Sequence, residues 1–332
     1  MHCTPCERMQ RGGALVTMLA LMEVTSMARM EFGYHPPSGD RGIEIIRERE
    51  YLSEFQKAMD VASQAFKSVW ISDHLAYSSE FRLECWTHLT WLAAQYPNLD
   101  LGTIVMCNSW RQPSLMAKMA ASLHWMSGGR LILGYGAGWF EGEYKSYGFD
   151  FPSPRTRVEM ADEGIQIIKA MWGEGPVTFE GQYYKVENAY CEPRFEKPPI
   201  LLLGMSGERR AMRVVAKYAD WWNIGARPID DLRAKLDALK GHCDAVGRDF
   251  STLRKTLNVR VYLAKTQQEA QEMVERRSRP GSFPIAGDPV AVREQLAELA
   301  DLGFDYSILT FVDFQELTDL KLFADKVLPE FS

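Results

Sequence analysis

Cysteine is scarce, with six residues in a chain of 332. That is too few for a disulfide scaffold, and Cys85, Cys107, Cys191 and Cys243 lie far apart, which reads as the reduced thiols of a cytoplasmic protein. Cys3 and Cys6 form a CxxC, but no second CxxC or Cys/His pair at finger spacing follows, so no metal site is expected. Nor is there an apolar run of about 18 residues, the length a spanning helix needs, so no membrane segment is expected. A basic excess is missing too. Thirty-eight Lys plus Arg against 44 Asp plus Glu leave a formal charge of −6 without a long run of either sign, which excludes the usual nucleic-acid footprint. There is no nucleophile elbow and no Ser/His/Asp order, which argues against a simple hydrolase.

The first 29 residues stand apart. Arg8 and Arg11 precede an apolar stretch from Gly12 to Met22, and Ser26-Met27-Ala28 has the small-x-small form of a signal-peptide cleavage site. Glu23 and the Met-rich composition weigh against secretion, and Met27 and Met30 each offer a later start. The expectation is an N-terminal extension, 1–29, without a structural role, followed by a single domain over 30–332.

From Met30 onward, short β-rich runs alternate with helical patterns, as in βα units around a parallel sheet. Eight strands are expected: Met30 to Tyr34, Ser68 to Asp73, Leu99 to Met106, Leu131 to Tyr135, Ile200 to Leu203, Asp220 to Ile224, Thr256 to Ala264 and Tyr306 to Phe311. Between them, Leu115, Met119, Leu123 and Met126 recur at helical spacing and predict one apolar face, ended by Gly128-Gly129. Val158, Ala161, Ile165 and Ile168 mark a second helix, and Asp288-Pro289 caps a third that carries Val292, Leu296 and Leu299 and stops at Gly303. Eight alternations without a Ser/Gly-rich linker predict an α/β fold, one (β/α)8 TIM barrel, with a doubly wound open sheet as the alternative. Three stretches exceed the minimal unit: Trp139 to Pro154, a hairpin at Val177 to Val186 turning at Glu180-Gly181, and a loop at Arg276 to Gly287.

In a barrel the active site lies at the C-terminal strand ends. His35, Pro36 and Pro37 follow the first strand, Asp73 and His74 the second, and Cys107, Asn108 and Trp110 the third. His74 is the sharpest candidate, because imidazole exchanges protons near neutral pH; Asp73 equally suits a turn or cap. Gly134-Tyr135-Gly136-Ala137-Gly138 follows the fourth strand and Gly204-Met205-Ser206-Gly207 the fifth. Glycines there admit a ligand close to the backbone, or simply make tight turns. The second segment reads as a phosphate cradle opening a helix, with Ser206 as N-cap and Arg209 and Arg210 nearby. Neither segment matches a Walker or Rossmann pattern. Trp110, Tyr135, Trp139, Tyr144, Trp221 and Trp222 suit the walls of a pocket for a flat ring, and equally core packing. Arg276, Arg277 and Arg279 either pair with an anionic ligand or solvate the loop.

Several stretches together resemble the luciferase-like monooxygenase superfamily, in its deazaflavin-dependent oxidoreductase branch. They are SDHL at 72–75, LGT at 101–103 with RQP at 111–113, SGGRLILGYGAGWFEGEY at 127–144, FPSPRTRVEM, VTFEGQYY and LLLGMSGERRAMRVVAKYADWWN. The resemblance implies a (β/α)8 barrel with insertions that binds coenzyme F420, or alternatively FMN, across its mouth. It implies that Gly204 to Gly207 hold the phosphate, that Asp73 and His74 are the catalytic pair beside the ring with His74 moving a proton, and that Ile104-Val105 is a non-prolyl cis peptide. The expected cofactor contacts are therefore Asp73, Ile104, Val105, Cys107, Asn108, Gly136, Ala137, Gly138, Trp139 and Gly204 to Gly207, including Met205 and Ser206.

Two chemistries follow from the resemblance: hydride transfer between F420 and a small organic substrate, or oxygenation by reduced FMN supplied by a partner flavin reductase. A flavin-binding protein without turnover is a third reading, and a homodimer through the early helices is implied.

Overall fold

The computed structural model describes residues 30–37, 50–76 and 81–331. The 1–29 segment, with Cys3, Cys6 and the signal-like stretch, lies outside the described residues.

In chain order the elements are β1 (Glu31–Tyr34), α1 (Tyr51–Ala65), β2 (Ser68–Ile71), α2 (Cys85–Gln95), β3 (Asp100–Thr103), β4 (Met106–Cys107), α3 (Pro113–Met126), β5 (Leu131–Gly136), α4 (Glu141–Ser146), α5 (Pro154–Met171), β6 (Val177–Glu180) and β7 (Lys185–Ala189). There follow β8 (Ile200–Leu203), α6 (Ala211–Tyr218), β9 (Trp221–Gly225), α7 (Ile229–Ala245), β10 (Arg254–Leu263), α8 (Gln267–Arg277), β11 (Ile285–Gly287), α9 (Pro289–Asp301), β12 (Tyr306–Phe311) and α10 (Thr318–Lys326). Among the described residues, β1, β2, β3, β5, β8, β9, β10 and β12 pair in parallel in that order, and β12 returns to β1. The sheet is closed, as expected for a (β/α)8 barrel rather than an open sheet.

Trp70 fills the barrel floor, and two glycines make room for it. A Cβ on Gly33 would lie 2.2 Å from Trp70 Nε1, and one on Gly102 would lie 2.1 Å from its Cε3. Ile132, Leu202, Tyr306 and Ile308 complete the layer. The Trp70 indole N–H donates to Ser68 Oγ, which is 2.5 Å from the Tyr306 hydroxyl, so the buried polar atoms of the floor have partners. The packed floor confines any ligand to the opposite, C-terminal end.

The eight expected strands are all present, with two boundaries that matter. β2 ends at Ile71, so Ser72 to His74 belong to the loop above it. The third run is split into β3 and β4 at Ile104 and Val105, whose shared peptide bond is cis.

The apolar face expected on α3 is different in the structure. Leu115 and Met126 are 54% and 70% exposed, while Met116, Ala117, Ala120, Ala121 and Leu123 are buried. α3 packs closely on α5, and close approach selects the alanine side of the helix rather than its largest apolar residues. α5 buries Ala161, Ile165 and Ile168 and is capped by Ser153, and α9 is capped by Asp288, whose Oδ1 accepts from the Val290 and Ala291 N–H groups. The hairpin is present as β6 and β7. The 276–287 stretch is not all loop: Ile285–Gly287 pairs in parallel with Val261–Leu263, where β10 extends beyond β9.

Candidate functional site at the barrel mouth

The C-terminal strand ends surround a cavity of about 800 Å³. Every barrel stave contributes to it: His35 after β1, Asp73 and His74 after β2, Ile104 and Val105 after β3, and Gly136 to Trp139 at and after β5. Gly204 to Gly207 follow β8, and Asn223, Asn258 and Thr310 come from β9, β10 and β12. All the residues expected to touch a cofactor line this cavity except Asn108. That side chain is buried, accepts from the Tyr135 hydroxyl (2.7 Å) and donates to the Tyr184 hydroxyl (2.9 Å), so it joins β5 to the hairpin.

His74 is held from the connection after β5, two staves round the mouth from its own strand. Its Nδ1 donates to Oε2 of Glu143 at 2.8 Å, and Glu143 Oε1 accepts the backbone N–H groups of Leu75 (2.5 Å) and Ala76 (3.1 Å). Glu143 is 1% exposed, so this carboxylate is committed to the loop that carries His74. The indole of Trp139 meets the imidazole edge-on, with centroids 5.8 Å apart. Glu143 was not among the expected site residues. It lies on α4, in the long Trp139 to Pro154 connection, and no spacing in the sequence links position 143 to position 74.

Asp73 is turned to a different task from its neighbour. Arg111 grips both of its oxygens, at 2.8 and 3.1 Å, and the Cys107 N–H donates to Oδ2 at 2.8 Å. Burial pushes the Asp73 carboxyl upward, against the pull of Arg111 and the Cys107 amide. Arg111 also reaches Glu84 at 2.7 Å. The Asp73 side chain thus ties the loop after β2 to the strand end that carries Cys107.

The glycine turns are required sterically. A Cβ on Gly204 would lie 2.8 Å from Val105 Cγ1, and one on Gly136 would lie 2.8 Å from Val105 Cγ2. Gly138 has φ +76°, and a Cβ there would fall 2.0 Å from the Tyr144 hydroxyl and 2.6 Å from Cys107 Sγ. Burial pushes the Cys107 thiol up to about 11, so it is a neutral wall of the cavity rather than a thiolate nucleophile.

The Gly204 turn does not open a helix directly. α6 begins at Ala211 with Arg210 at its N-cap, so Ser206 is not the cap expected of it. Three extra residues separate the turn from the helix because Glu208 to Arg210 form a turn of their own. Arg209 and Arg210 are exposed and do not line the cavity, and Arg210 faces Glu159 at 4.0 Å. Behind the turn lies Lys235, whose Nζ pairs with Glu208 Oε1 at 2.6 Å and reaches the Ser206 carbonyl at 3.5 Å. The Arg276, Arg277 and Arg279 cluster divides as well. Arg276 bonds the Glu272 carbonyl, Arg277 bonds the Val312 carbonyl, and Arg279 lines the cavity.

Among the described residues no group of three or more His, Cys, Asp or Glu is placed to hold a metal ion, and no helix is long and apolar enough to cross a membrane.

A closed (β/α)8 barrel with a histidine, a buried carboxylate and glycine turns at its C-terminal mouth has the layout of a ligand-binding enzyme domain. The chain belongs to the luciferase-like monooxygenase family, whose model matches residues 30–282. It is 21% identical over 352 residues to an FMNH(2)-dependent dimethylsulfone monooxygenase of Pseudomonas fluorescens, covering 92% of this chain and 95% of that protein. It is 30% identical over 239 residues to an F420-dependent glucose-6-phosphate dehydrogenase of Kineococcus radiotolerans, covering 67% of this chain and 66% of that one. Its fold matches an F420-dependent secondary alcohol dehydrogenase, solved in complex with an F420-acetone adduct, with a TM-score of 0.77 at 16% identity, covering 92% of this chain and 99% of that one. The relatives thus include both deazaflavin-dependent dehydrogenases and reduced-flavin monooxygenases.

Proposed function

We propose that this protein is an oxidoreductase that transfers a hydride between coenzyme F420 and a small organic substrate, with His74 as the proton donor or acceptor. The observation that carries this reading is the His74–Glu143 pair at the cavity wall. With Nδ1 committed to a buried carboxylate, the imidazole is oriented and its proton exchange with a ligand runs through Nε2.

The residues present fit a deazaflavin or flavin. A cavity of about 800 Å³ accommodates a tricyclic ring, and Gly136 and Gly204, where side chains would collide with Val105, keep one wall thin. Gly204 to Gly207 would hold the phosphate, and Trp139, Ile104, Val105 and Cys107 would wall the ring. When bound, the reduced cofactor supplies the hydride. His74 supplies the proton that completes reduction of a carbonyl to an alcohol, or takes it in the reverse direction. Glu143 keeps the imidazole in place, and Asp73 with Arg111 fixes the loop beneath it. Asp73 therefore serves position rather than proton transfer.

A second reading, an FMNH2-dependent monooxygenase with a partner flavin reductase, is favoured by the near full-length similarity to the dimethylsulfone monooxygenase. Fluorescence titration of the purified protein with oxidised and reduced F420 and FMN tests the two against each other. Selective F420 binding supports hydride transfer, selective binding of reduced FMN supports oxygenation, and binding of neither removes both.

A further inference from the structure

Burial, the lack of a counter-ion and a helix dipole all weigh against Arg157 where it stands. It is 7% exposed, and among the described residues its polar partners are two carbonyls and no carboxylate. It completes the first turn of α5, which holds no acidic residue and where the dipole disfavours a cation. A charge buried in this way persists only if other contacts offset its lost hydration.

Those contacts all lie in one segment. Arg157 Nε donates to the Gly138 carbonyl at 3.1 Å, Nη1 donates to the Pro152 carbonyl, and the guanidinium carbon sits 4.1 Å from the centre of the Phe151 ring. Gly138 lies at the start of the connection between β5 and α5, and Phe151 and Pro152 lie at its end. One side chain therefore clamps the two ends of that connection together, and α4, which carries Glu143, lies between them.

The clamp reaches α4 by two routes. Along the chain, Gly138, in the left-handed region at φ +76°, leads through Trp139 to Phe140, whose carbonyl accepts the Glu143 N–H at 3.2 Å. Through side chains, the Phe151 ring meets the Tyr144 ring edge-on at 4.9 Å. The Tyr144 hydroxyl lies 3.1 Å from Cys107 Sγ and donates to the Ala137 carbonyl at 3.4 Å. Tyr144 is fully buried, so α4 is pinned to the cavity wall at the residue next to Glu143.

We propose that Arg157 is a positioning residue for His74: by clamping the connection between β5 and α5 it fixes α4, and α4 holds Glu143 against the imidazole. Arg157 is not among the residues that line the cavity, so it acts through this pair and not on a ligand. Its bearing on catalysis rests on the reading of His74 as proton carrier; its effect on the His74–Glu143 contact does not.

Proton NMR of the full-length protein, labelled with nitrogen-15 in histidine and tryptophan, reads that contact. The His74 Nδ1 proton, bonded to a buried carboxylate, is expected as a downfield resonance that exchanges slowly with water and is missing from H74A. R157M keeps an unbranched side chain over Phe151 but removes the charge and both donors, and Y144F removes only the hydroxyl. Both are expected to speed exchange of the His74 proton roughly tenfold, and R157K, which keeps the charge and a donor, to fall between R157M and the parent. The indole N–H of Trp70, in the barrel floor, is expected to exchange as in the parent. Unchanged exchange at His74 in R157M overturns the proposal. So does equal acceleration at Trp70, which would mean that the substitution merely loosens the fold. If R157M does not fold, Y144F decides: faster exchange at His74 alone supports the clamp, and parental exchange overturns it. Turnover in H74A equal to that of the parent, with exchange still sensitive to R157M, keeps the clamp and refutes the role of His74 as proton carrier.

Discussion

Glu143 on α4 holds Nδ1 of His74 at 2.8 Å while accepting the N–H groups of the two residues that follow that histidine. One buried carboxylate thus fixes both the imidazole and its loop, and joins the connection after β5 to the connection after β2 over the intervening β3.

On the proposed reading, removing the imidazole removes the proton carrier without emptying the cavity. H74A is expected to lower turnover by about 10²–10⁴-fold, the usual range for a lost general acid or base, with cofactor affinity retained. E143Q keeps the shape and removes the charge, and its turnover is expected between those of H74A and the parent. Steady-state rates together with fluorescence titration check both, and equal turnover in H74A removes His74 from the mechanism.

The glycine turn predicts the opposite split. G204A forces a Cβ to within 2.8 Å of Val105, at the thin wall of the cavity. It is expected to weaken cofactor binding while circular dichroism stays native, and S206A is expected to weaken it as well. Unchanged dissociation constants in both would separate this turn from the cofactor.

Asp73 and Arg111 predict a stability effect. Their side chains are 0% and 14% exposed, so R111Q leaves a buried carboxylate without its charge partner. The expected cost is about 3–5 kcal/mol in urea denaturation, the range for breaking a buried pair from one side. A cost below about 1 kcal/mol would mean that the pair does not hold the loop.

His88 predicts acid lability. It is 2% exposed, packs against Phe55 with ring centroids 4.7 Å apart, and burial pushes its pKa down to about 4. Between that value and the ordinary 6.5 the unfolded chain binds the proton and the folded chain does not, so stability rises with pH across this window and is lost as pH falls through it. The contribution at pH 5 is about 2 kcal/mol. H88F is expected to narrow the gap in melting temperature between pH 7.5 and pH 5; an unchanged gap would assign the lability to other groups.

Much of the framework was legible because it depends on local pattern. Eight β-rich runs, the Asp288-Pro289 cap and the Glu180-Gly181 hairpin each involve residues within a few positions of one another, where periodicity and capping chemistry act. The same locality explains the errors. The period of α3 marks which residues are apolar, but contact with α5 decides that Ala117, Ala120 and Ala121 are the ones buried.

By itself, then, the sequence determined the order of strands and helices, the strand ends that form the cavity, and the glycine turns, since backbone sterics and side-chain period are properties of short segments. Tertiary structure alone decided that His74 is partnered by Glu143, 69 positions away, that Asp73 is taken up by Arg111, 38 away, and that Arg157 joins Gly138 to Pro152. Closing a barrel brings eight distant strand ends to one rim, and the charges that meet there are set by stave order and register, which no local spacing records.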